Sequence, residues 1–232
     1  LVVQPEYRIF LAISRRFTMT ERPTLTTSAG APIGGISVPD SELLREITEL
    51  VRDTESPLLF HHSSRVFYWG ALTGVRRGLT FDAELLYAGA MFHDMGLTRR
   101  HSSPAERFEV DGANAARDFL HGHGVSRQDI GTVWTAIALH TTPGIPQHMH
   151  PVIALVTAGV EMDVLGIAYT EFSDAEREAV MQAHPRSRRF KDDIIQAFYD
   201  GIRHKPHTTF GKSRPTCSPT KIHTSRAATS AA

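Results

Sequence analysis

The stretch AELLYAGAMFHDMGLT, residues 83–98, carries an apolar helix that stops on a His-Asp pair. Asp82, just ahead of it, is a residue type that accepts hydrogen bonds from the free N–H groups of a first helical turn, and Gly96 can break the helix at its far end. Successive residues on an α-helix point about 100° apart, so His93 and Asp94 can reach one ion only where the helix loosens. The sequence sets them at such an end.

Outward from this segment the pattern stays helical. Ser41 precedes ELLREITELV, in which Leu43, Leu44, Ile47, Leu50 and Val51 recur at steps of three and four. Pro57 opens a helix running through His62 to about Gly74, and ERFEVDGANAARDFLHGHG reads as another, ending at Gly122 or Gly124. Ser126, Pro151 and Ser173 start three more, and FKDDIIQAFYDGIRH forms the last. No alternating strand pattern and no internal repeat is present. The expectation is all-α: a single bundle of seven or eight helices over residues 37–211. Residues 1–36 are Pro/Gly/Thr-rich in their second half and are expected to be an extension without fixed structure. Residues 1–18 read as an upstream over-extension of the frame rather than an amphipathic targeting arm. Residues 212–232 have one Ile and no acid, the composition of a disordered tail.

Composition narrows the chemistry. The 232 residues include 25 Lys+Arg and 25 Asp+Glu, without the basic excess that binding a phosphate backbone needs, so nucleic acid is not an expected partner. No uncharged apolar run is long enough to span a bilayer, which points to a soluble, cytoplasmic protein acting on a small molecule, with homo-oligomerisation left open. Cys217 is the one cysteine, so any metal must be held by His and carboxylates.

Nine of the 13 histidines fall between positions 61 and 150. His62 lies four residues before Val66 and seven before Trp69, on an apolar stripe. Val156, Val160, Asp163 and Ile167 follow at steps of four, three and four, which projects Asp163 from a buried face, where a carboxylate needs a cation or strong hydrogen bonds. His140 follows Val133 and Ile137 on one face and is either a bonded core histidine or a pocket group able to shuttle a proton. Glu109 is a candidate general acid/base, with exposure or a salt bridge as the alternative. Arg65 either holds a metal-ligating carboxylate or anchors an anionic substrate. His121, His123, His148 and His150 sit in turns and read as solvent-facing. Phe67, Tyr68 and Trp69 read as core packing.

His62, His93-Asp94 and Asp163, within HSSRV, HDMGLT and DVLG, resemble the H…HD…D ligand set of the HD-domain superfamily of metal-dependent phosphohydrolases. RFEVDGANAARDFL, VWTAIALHTTPGI and FYDGIRHKPHTTFG resemble more narrowly the branch that includes the cyanamide hydratases. The resemblance implies that His62, His93, Asp94 and Asp163 hold one divalent ion, Zn²⁺ or Fe²⁺, with positions left for water and substrate. Two-metal members carry a His four residues before a Gly-Ala pair. Here Phe108 stands at that position before Gly112-Ala113, which disfavours a second metal and makes Phe108 a candidate substrate contact. The implied reaction is addition of metal-activated water to a small nitrile-like carbon, as in cyanamide to urea, with Asp94 or His140 moving the proton. The alternatives are hydrolysis of a phosphomonoester or nucleotide, and a non-catalytic binding module.

Overall fold

The computed structural model describes residues 32–209. Over that range the chain forms eight α-helices: α1 (Glu42–Thr54), α2 (Pro57–Arg76), α3 (Ala83–Phe92), α4 (Phe108–Gly122), α5 (Arg127–Leu139), α6 (Pro151–Val160), α7 (Asp174–Ala183) and α8 (Phe190–Ile202). Among the described residues there is no strand beyond an isolated bridge between Ile33 and Ile36. No described helix is long and apolar enough to cross a membrane.

The starts are where the capping residues place them. The side chains of Ser41, Ser56, Asp82, Ser126 and Ser173 each accept a backbone N–H of the first turn that follows, and Ser173 forms a reciprocal capping box with Glu176. Pro57 and Pro151 occupy first-turn positions whose N–H would have no helical partner.

The main core is built on α2, which packs along α6 and α3, while α4 packs on α5. Backbones approach closely at glycines. A Cβ on Gly159 of α6 would lie 2.2 Å from the Val66 carbonyl oxygen on α2, and one on Gly96 would lie 2.0 Å from that of Phe108 at the head of α4. These contacts bring His62 on α2, the end of α3 and the end of α6 to one place. Phe67 and Trp69 are fully buried, as expected of packing residues.

Two boundaries differ from the sequence expectation. Ile33 is 6% exposed and packs with Trp69, Leu72, Met162, Phe172 and Val180, so the packed unit begins ahead of residue 37. Helix α6 passes into a wider π-type turn, Glu161–Leu165, and stops at Gly166, whose φ of +72° suits a residue without a Cβ. Ile167 is therefore exposed and does not continue the buried stripe read from Val156 to Asp163. Residues 1–31 and 210–232, including most of both expected flanking segments, lie outside the described residues.

Candidate metal centre

Helix α3 ends at Phe92; His93 keeps helical dihedrals, whereas Asp94 (φ −101°, ψ 2°) leaves them and leads into a short 3₁₀ turn, Met95–Leu97. This loosening turns both side chains inward, and both are fully buried. His62 joins them from α2. Its Nε2 lies 3.2 Å from His93 Nε2 and 3.6 Å from Asp94 Oδ2, and His93 Nε2 lies 3.4 Å from the same oxygen. Donors arranged tetrahedrally about 2.0–2.2 Å from one ion stand roughly 3.4 Å apart, so the three atoms have the spacing of a ligand set.

Hydrogen bonding fixes which ring atoms are offered. His93 Nδ1 donates to the Ala90 carbonyl at 2.6 Å, His140 Nδ1 to the Ile137 carbonyl at 2.6 Å, and His62 Nδ1 to Asp163 Oδ2 at 2.7 Å. A neutral ring whose Nδ1 carries the proton presents a bare lone pair at Nε2. The 3.2 Å contact between the Nε2 atoms of His62 and His93 is then lone pair against lone pair and calls for a cation. Asp94 points the same way, because both its oxygens are buried without any hydrogen-bond partner. His140 Nε2 is also unpartnered, 3.9 Å from Asp94 Oδ1. Burial lowers the pKa of His93, and burial together with the neighbouring His93 lowers that of His140 to about 3, so both rings stay neutral and keep an Nε2 lone pair.

Asp163 stands behind His62, bonded to the ring nitrogen directed away from His93. Its oxygens also accept from Arg65 Nε at 2.8 Å and Nη2 at 3.0 Å, Trp69 Nε1 at 2.9 Å and Arg186 Nη2 at 2.7 Å. Burial opposes its ionisation, but the His62 and Arg65 interactions outweigh that and hold the carboxyl well below the usual carboxylate range. The structure thus gathers His62, His93 and Asp94 with His140 beside them, and does not bring the Asp163 oxygens into that set.

Arg65 is withdrawn from the substrate-binding role expected for it. It is fully buried, and besides Asp163 its Nη1 donates to the carbonyls of His184 and Pro185, at 3.0 and 3.1 Å, which leaves it no open face. Of its two expected roles, holding a carboxylate is the one observed. Glu109 is 2% exposed, ion-paired with Arg107 and bonded by the Thr141 hydroxyl at 2.5 Å. Burial pushes its pKa up, but these partners prevail and keep it below the usual range, which makes it a poor proton donor at neutral pH. Phe108 sets its ring edge-on to His140, with centroids 5.6 Å apart, so it lies beside the cluster and offers no donor. His121, His123, His148 and His150 are exposed, as expected.

Several contributors carry no sequence signal. Arg186 and the His184 carbonyl come from the non-helical link between α7 and α8, and the indole of Trp69, expected only to pack, also donates to Asp163. Glu55, in the turn after α1, is 6% exposed, and its hydrogen-bond donor is the Ser63 hydroxyl, 3.3 Å from Oε2.

An all-helical bundle that gathers two imidazoles and a carboxylate in a dry interior is a helical metal-binding domain. The family model described as HD domain matches residues 59–192, more than half of the chain, and the chain belongs to the HD-domain family, whose members are in general metal-dependent hydrolases. No curated protein matches it.

Proposed function

We propose that the centre is the active site of a metal-dependent hydratase or hydrolase acting on a small neutral molecule, and that hydration of a nitrile-like carbon, as in cyanamide to urea, fits it best. One divalent ion, Zn²⁺ or Fe²⁺, would be held by His62, His93 and Asp94, a nitrogen–oxygen set suited to either. Asp163 would orient His62 through Nδ1. Such an ion lowers the pKa of a water bound to it and polarises the substrate. His140 Nε2, next to Asp94 and without a partner of its own, would accept a hydrogen bond from the water or the substrate and orient it.

The observation that carries the substrate class is the charge around the cluster. Phosphoryl groups are held by cationic side chains aimed at their oxygens. Here Arg65 and Arg186 are taken up by Asp163, Arg107 by Glu109 and Lys205 by Asp111, while the oxygens left without donors, on Asp94 and Glu55, are acidic. An anion entering this space would be repelled by a carboxylate and meet no free cationic clamp, a cost that a small uncharged molecule does not bear. A panel of cyanamide, simple nitriles, phosphomonoesters and nucleotides, assayed after reconstitution with Zn²⁺, Fe²⁺ and Mn²⁺, tests the reading. Turnover of cyanamide or a nitrile is the expected result, and turnover confined to phosphate esters would overturn it.

A further inference from the structure

A cavity of about 990 Å³ lies between α1, α2 and α7. None of His62, His93, Asp94 and His140 lines it, so it is separate from the metal centre. The buried Ser64 and Tyr87 form part of its wall, and the Tyr87 and Thr48 hydroxyls share a hydrogen bond of 2.7 Å there. Rings follow one another along the rest. Phe60 and His61 have centroids 5.6 Å apart, His61 and His184 5.7 Å, and His184 and Tyr68 5.5 Å. The exposed Arg52 of α1 sets its guanidinium 5.0 Å from the centre of the Phe60 ring.

Charge decides what such a space can take. Among the described residues no Asp or Glu lines the cavity, and Arg52 has no acidic partner. The Nδ1 atoms of His61 and His184 are 3.5 Å apart, a spacing that two ligands of one ion could adopt. Their surroundings oppose that use, because Arg65 donates to the His184 carbonyl at 3.0 Å and brings its positive charge to the pair. Burial and the Arg65 charge lower the pKa of His61, and burial, His61 and Arg65 lower that of His184 to about 4. A divalent ion placed between these rings would be repelled by Arg65 with no carboxylate to offset it. An anion has the opposite preference. A phosphate dianion needs several donors converging on its oxygens, whereas a single planar guanidinium beside aromatic rings matches one carboxylate joined to an apolar body. Pockets for such molecules are mostly apolar, with a few polar groups that fix orientation.

We propose that this cavity is a second ligand site, for a small aromatic monocarboxylate whose carboxylate pairs with Arg52 and whose ring lies against Phe60 and Tyr68. The proposal does not depend on the reaction assigned to the metal centre. Ring contact supplies apolar area, and the unpaired guanidinium supplies the selection for charge.

The experiment is calorimetric titration of the full metal-loaded chain with three probes. These are 3-phenylpropanoate, 3-phenylpropanamide with the same ring and no charge, and propanoate with the charge and no ring. The aromatic acid is expected to bind at least about tenfold more tightly than either control. In Arg52→Gln its affinity should fall to that of the amide, whose own affinity stays as it was, and Arg52→Lys, which keeps a charge but not the planar fork, should fall between. Ala183→Trp, which places a large ring at the cavity wall, should weaken the acid and the amide alike. No binding of the acid by wild type, no preference over the amide, or an affinity unchanged in Arg52→Gln overturns the proposal. The same titration after chelation separates this cavity from the metal centre: binding that persists supports the proposal, and binding that disappears with the metal puts the carboxylate on the ion and overturns it. Sedimentation of the unliganded chain tests the other occupant. A stable dimer that Ala183→Trp dissociates, in a protein that takes up no acid, gives the cavity to a second copy of the chain.

Discussion

Replacing Asp163 by Asn keeps the shape of the side chain and removes its charge. The carboxylate is fully buried and accepts from His62, Arg65, Trp69 and Arg186, so an amide there turns N–H groups towards donors and leaves the buried Arg65 guanidinium without its counter-ion. Breaking one side of a buried ion pair costs about 3–5 kcal/mol. For a domain of this size that lowers the melting temperature by roughly 6–20 °C. The assay is thermal unfolding at neutral pH in the presence of a chelator, so that metal binding does not contribute. The pKa of Asp163 is depressed in the fold, so its contribution is present above the ordinary carboxylate pKa, about 4, and is lost as the pH falls below it. The gap between wild type and variant should therefore narrow in acid. A loss under about 1 kcal/mol at neutral pH would refute the picture of Asp163 as the anchor of this network. As a residue that orients His62, its loss should also weaken metal affinity by about 10–100-fold, whereas complete loss of metal would make Asp163 a direct ligand.

Two further outcomes can be checked on single variants. Phe108→His puts a ring nitrogen beside His140, whose Nε2 has no partner, and metal content at saturating Mn²⁺ or Fe²⁺ should rise from about one towards two per chain; a stoichiometry that stays at one would count against the role assigned to Phe108. His184, pushed down to about 4 by burial, His61 and Arg65, takes up its proton in the unfolded chain first, so stability should fall as the pH drops from about 6.5 to 4. In His184→Gln that part of the acid dependence should flatten, and identical pH profiles for the two proteins would show that His184 does not contribute to it.

The helices were legible because their signals are local: a Ser or Asp cap and a three-four apolar rhythm act within one or two turns. The His-Asp pair was legible for the same reason, since a helix end followed by Gly96 is written in consecutive residues. Asp163 was correctly placed in the interior, but its neighbours were not foreseeable. Arg186 and the His184 carbonyl reach it across the link before α8, where no periodicity says which way a residue points. Glu55 was missed because it sits between a helix end and Ser56-Pro57, a context in which charged residues ordinarily face water. For Arg65 the sequence leaves two roles open, and only the position of Asp163 in the turn that ends α6 decides between them. The end of α6 went unpredicted past Asp163 because a π-type turn keeps helical composition while shifting the direction of its side chains.

His62, His93 and Asp94 are shut off from solvent and His140 is 2% exposed, which has a kinetic meaning for any ion they hold. An ion cannot leave by shedding ligands one at a time into water; the surrounding helices must first part. Exchange is then paced by a local opening of the fold rather than by the lability of the coordination bonds. Copper and zinc outrank iron and manganese for such donors at equilibrium, and a slowly opening shell delays the approach to that equilibrium. Until exchange has had time to run, the occupant reflects which ion was abundant while the chain was folding, so two fresh preparations of the same sequence can carry different metals.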